Sequence, residues 1–90
     1  MRLEDVFFNW LQMKIVSEAR PGDQAAEDTR SFFEEILRED HAVTDWRTES
    51  DETRIYVTYE QHDSAKKLFF DKELAEQLLE DINSNPKYNQ

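Results

Sequence analysis

At His41 the spacing of apolar residues changes. Before it they recur every three or four positions, the period of a helix face, and after it they alternate with polar residues, the period of a strand. The chain therefore reads as two helices, then strands, then a last helical stretch. The order α-α-β-β-β-α gives an α+β fold, a three-stranded antiparallel meander with helices packed on one face.

In the first helix, residues 3–19, the apolar stripe is Leu3, Val6, Phe7, Trp10, Leu11, the stem of Lys14 and Ile15. Glu4 and Asp5 suit the positive end of the helix dipole, and Arg20-Pro21-Gly22 ends the helix. Phe8, Met13 and Val16 fall outside the stripe, so apolar side chains cover more than half the circumference. Such a helix is either wedged between other elements or offers a second face to a partner. Asp23 is the expected N-cap of a second helix reaching about Asp40, with Ala25, Thr29, Phe32, Phe33, Ile36 and Leu37 on its apolar side. Its other side reads Glu27, Asp28, Arg30, Glu34, Glu35, Arg38, with Glu34 and Arg38 spaced as a solvated i,i+4 pair.

Residues 42–48 and 53–60 are expected strands, joined by a hairpin loop at 49–52. Ile55, Val57 and Tyr59 share the core face of the second strand, and Arg54, Tyr56 and Thr58 share the other. A turn at 61–65 leads to a short third strand at 66–70, where Leu68-Phe69-Phe70 would also serve as a first helical turn. Asp71 then caps a helix from Lys72 to about Ile82, and residues 83–90 read as a flexible tail behind a single domain of residues 1–82.

Ninety residues with no cysteine must hold together by apolar packing alone. The absence of cysteine suits a reducing cytoplasm. Glu4 and Asp5 stand where a signal peptide would be basic, and no apolar run is long enough for a membrane helix. Charged residues make up 36% of the chain, yet two tryptophans, three tyrosines and six phenylalanines argue against disorder.

The net charge of −10 is unevenly spread: residues 21–63 hold 13 carboxylates against 4 arginines, while the first twenty residues are neutral. Such an acidic region solubilises, steers a basic protein partner, or mimics a nucleic-acid backbone. Arg30, Arg38, Arg47 and Arg54 interrupt the run and weigh against mimicry. Crowded carboxylates should repel one another, raising their folded pKa values and favouring the fold as pH drops toward ~5.

Residues 23–83 share the α-β-β-β-α element order of double-stranded RNA-binding domains, a resemblance of order without a motif. Those domains grip phosphate with a lysine-rich start to the last helix. Here that stretch reads Asp71-Lys72-Glu73-Leu74-Ala75-Glu76, and the net charge would repel a polyanion, so direct nucleic-acid binding is not expected.

Catalytic, cofactor and metal residues are not identified. Asp40, His41 and Asp45, and likewise Glu60, His62 and Asp63, lie close in sequence but match no ligand spacing with a mechanism behind it. The single glycine excludes a nucleotide-binding glycine loop, and no serine sits in a nucleophile-elbow context. Among the aromatics, Phe7, Trp10, Phe32, Phe33, Phe69 and Phe70 are assigned to the core. Trp46 and Tyr56, with Arg47 and Arg54 beside them, form a candidate protein-binding patch on the open side of the sheet. Phe8 and Met13 are the candidates on the first helix.

The expected function is that of a small cytoplasmic, non-enzymatic interaction or regulatory domain. Its partner would be another protein, or a second copy docked through the N-terminal helix. The alternatives are an acidic nucleic-acid mimic that inhibits a DNA- or RNA-binding protein, and a small enzyme of unknown type.

Overall fold

A computed structural model describes residues 1–84. The element order is α1 (Leu3–Ala19), α2 (Gln24–Glu39), β1 (Val43–Ser50), β2 (Arg54–Gln61), β3 (Ser64–Asp71) and α3 (Lys72–Ser84). The strands form one antiparallel sheet in the order β1-β2-β3. The stretch at 66–70 is strand, and α3 runs two residues past its expected end. The rest of the expected tail lies outside the described residues.

The turn from α1 to α2 and the start of α3 each have a chemical cause. Gly22 turns the chain at φ 91°, a conformation that a Cβ disfavours, and the chain re-enters a helix at once. Asp23 fixes that re-entry: one carboxylate oxygen accepts the Ala26 amide at 3.1 Å and the other pairs with Arg20 Nε at 3.1 Å. Both contacts favour the ionised form, the amide bond more strongly, so the Asp23 carboxyl is held below its ordinary range. At the start of α3, Asp71 accepts the Leu74 amide at 3.1 Å.

α1 lies between α2 and α3, with α2 near β1 and α3 near β2 and β3. Its apolar coverage of more than half the circumference is explained by that central position. Phe7 and Leu11 face the sheet side, Val6 and Val16 are buried, and Phe7 packs at a tilt of 48° against Tyr59, 5.1 Å between ring centroids. Burying Phe7, Leu11 and Leu37 contributes about 1.5–3 kcal/mol each before entropy is counted. Burial also pushes the Tyr59 phenol up, with Glu4 adding to it.

The polar side of α2 departs from expectation. Arg30 and Glu34 are half-buried at the seam with α1, where Glu34 Oε2 accepts the Trp10 indole N–H at 2.9 Å and Arg30 Nε at 3.4 Å. Arg30 also donates to Ser17 Oγ at 3.2 Å. Arg38 lies over the Trp46 ring at 5.1 Å instead of pairing with Glu34.

Candidate protein-binding face

The sheet is covered by helices on one side only, and residue parity decides what the other side offers. On β2, Ile55, Val57 and Tyr59 point into the core, as expected. Their alternates Arg54, Tyr56, Thr58 and Glu60 therefore face away from the helices. Cross-strand register extends this face into rows: Glu49, Tyr56 and Phe69 form one, and Arg47, Thr58 and Lys67 form the next.

Trp46 is not on this face, contrary to the sequence reading. It pairs with Tyr59 and packs edge-on against Phe7 at 6.3 Å and Trp10 at 5.9 Å. The reason is a β-bulge: Val43 pairs with Gln61 but Asp45 pairs with Glu60, so Thr44 is an extra residue. Strict alternation from buried Val43 sends Trp46 outward, and the bulge restores it to the core.

The remaining sheet candidates do converge. Tyr56 and Phe69 are neighbours, with ring centroids 6.4 Å apart. The Arg54 guanidinium lies 4.6 Å from the Phe69 centroid, and Lys67 Nζ lies 5.1 Å from that of Tyr56. Contacts of this kind at exposed sites are worth ~0.5–1 kcal/mol. Among the described residues, Arg47, Arg54 and Lys67 make no ion pair, although the chain holds 21 carboxylate side chains. Asp45, Glu49, Glu60 and Asp71 border the same face, so it carries both signs of charge.

Phe69 and Lys67 were missed as site residues, and Phe69 was assigned to the core. It is 59% exposed. Leu68 and Phe70 are the residues of β3 packed on the core, and adjacent residues of a strand cannot share a face. Phe32 was also assigned to the core and is 56% exposed, beside half-buried Phe33 on α2.

One end of the face is fixed by Asp51. Its Oδ1 accepts the amides of Thr53 at 2.9 Å and Arg54 at 2.8 Å, and its Oδ2 accepts the Tyr56 hydroxyl at 3.1 Å. These bonds, the Thr53 amide foremost, hold the Asp51 carboxyl below its ordinary value. The clear carboxylate shifts, at Asp23 and Asp51, are thus downward, the reverse of what crowding led us to expect. At the opposite end of β2, His62 and Asp63 close the hairpin to β3 with φ of 54° and 63°.

The two α1 candidates lie elsewhere. Phe8 is half-buried and packs on Phe70 at 5.8 Å on the helix side of the sheet. Met13 is half-buried in an apolar groove with Val16, Ala25, Ala26, Thr29 and Ile82. Among the described residues no group of three or more His, Cys, Asp or Glu side chains is placed to hold a metal ion. Nor is any described helix long and apolar enough to cross a membrane.

The chain matches no family model, no curated protein and no solved structure.

Proposed function

We propose that this chain is a non-enzymatic protein–protein interaction domain of the cytoplasm, docking through the open face of its sheet. The observation that carries this reading is the pair of half-buried Tyr56 and exposed Phe69 flanked by Arg47, Arg54 and Lys67, cations without carboxylate partners among the described residues of an acidic protein. Aromatic and arginine side chains dominate binding energy at protein interfaces, and here they sit on a rigid sheet instead of a loop. Affinity capture from the native cell with wild type, Arg47→Glu/Tyr56→Ala and Glu35→Lys baits tests the proposal. A protein retained by wild type and Glu35→Lys but lost by the sheet variant supports it. Equal retention by all three baits contradicts it.

A second reading, mimicry of a nucleic-acid backbone, draws support from one feature. Two of the arginines expected to interrupt the acidic run lie over tryptophan rings, Arg30 over Trp10 at 5.8 Å and Arg38 over Trp46. Glu27, Asp28, Glu35 and Glu39 remain exposed along α2. Salt-sensitive retention of basic DNA-binding proteins, abolished by Glu35→Lys, is the result this reading requires.

A further inference from the structure

Each outer strand of a three-stranded sheet leaves a row of backbone N–H and C=O groups unpaired, and such an edge invites another strand. The two edges here differ. β1 is broken by the bulge at Thr44, and α2 packs near it. β3 pairs with β2 through eight consecutive positions without a bulge and contains no proline.

We propose that β3 pairs antiparallel with β3 of a second copy, about a two-fold axis through Phe69, joining the two sheets into one of six strands. The seam is the backbone edge of β3 and borders the partner-binding face above, with Phe69 and Lys67 common to both; it does not depend on that reading. Self-complementarity of the strand selects the register. In an antiparallel pair, directly opposed residues share a face, so the axis must pass through a residue. An axis through Lys67 sets it against the partner's Lys67, a like-charge clash. An axis through Leu68 places Lys66 opposite the partner's Phe70, and Asp71 opposite the partner's Ala65, leaving both charges unmatched. An axis through Phe69 opposes Lys67 to the partner's Asp71, Leu68 to the partner's Phe70, and Phe69 to the partner's Phe69.

That arrangement is consistent on both faces. Leu68 and Phe70, half-buried in one copy, meet apolar side chains on the helix side. On the open side, Tyr56 and Phe69 continue into the same pair of the partner, giving a row of four rings. Pairing stops at Asp71, since the chain enters α3 at Lys72. Lysine on an edge strand ordinarily discourages pairing. Here Lys67 acquires an aspartate, and Lys66 lies beyond the paired segment.

Sedimentation velocity over a range of concentrations, combined with single-cysteine crosslinking, tests the proposal. The chain has no cysteine of its own, so the background is clean. Wild type should approach the dimer mass as concentration rises. Phe69→Lys, which opposes two cations at the axis, should sediment as a monomer with an unchanged circular dichroism spectrum. Lys67→Glu, which faces the partner's Asp71, should also weaken association. Oxidised Phe69→Cys should give a covalent dimer, whereas Glu49→Cys, in the same row but on β1, should not. Wild type that stays monomeric at every concentration, Phe69→Lys that still dimerises, or Phe69→Cys that crosslinks no better than Glu49→Cys would each overturn it.

Discussion

Replacing Glu34 by alanine should destabilise the protein far more than a surface glutamate would. Trp10 is only 4% exposed, and its indole N–H has the Glu34 carboxylate at 2.9 Å as its acceptor. Leaving a buried donor unpaired costs about 1–3 kcal/mol. The Arg30–Glu34 pair is partly wet, with side chains 30% and 23% exposed, so its loss adds only ~0.2–1 kcal/mol. The sum is about 2 kcal/mol, or roughly 8–16 °C in melting temperature for a domain of this size. Glu34→Gln keeps an acceptor for the indole while removing the charge, so it should lose under ~1 kcal/mol. Urea titrations give both values, and the Trp10 indole proton resonance should move upfield in the alanine variant alone. If Glu34→Ala and Glu34→Gln unfold at the same urea concentration with the Trp10 resonance unmoved, the seam between α1 and α2 is not held as described.

Two further outcomes follow from local geometry. His62→Asn with Asp63→Gly should raise stability by ~1 kcal/mol, because both positions sit at positive φ in a tight hairpin and Asn-Gly suits that turn best; a lower urea midpoint would contradict the turn. Asp23 and Asp51 have folded pKa values below the ordinary 3.8, so the folded form binds fewer protons than the open chain. The stability they contribute is fully present above pH 3.8 and is lost as pH falls through their folded values; Asp23→Asn and Asp51→Asn should each flatten that acid limb of the melting curve.

The sequence was most readable where a side chain acts through its own local period. Ile55, Val57 and Tyr59 alternate with polar neighbours, and Asp23 and Asp71 stand one residue before an apolar period, so the sheet's two faces and both caps could be inferred. Trp46 could not be placed correctly, because a bulge is a property of the pairing between strands and Thr44 carries no mark of being the extra residue. Glu34 and Arg30 were assigned to solvent since they look like any charged helix residue, and only the tertiary arrangement supplies the indole between them. Phe69 is a different case. Parity within β3 opposes it to Phe70, so the alternation that holds Leu68 and Phe70 on the core turns Phe69 outward, although it lies in an apolar run with both.

The most direct test of the central claim places a photo-crosslinking amino acid at position 58, where Thr58 lies between Arg47 and Lys67 on the open face, and at position 35, on the exposed side of α2. Irradiation in the native cell should yield a discrete protein adduct from position 58 and none from position 35. An adduct from position 35 alone would contradict docking through the sheet and move the interaction to the acidic helix.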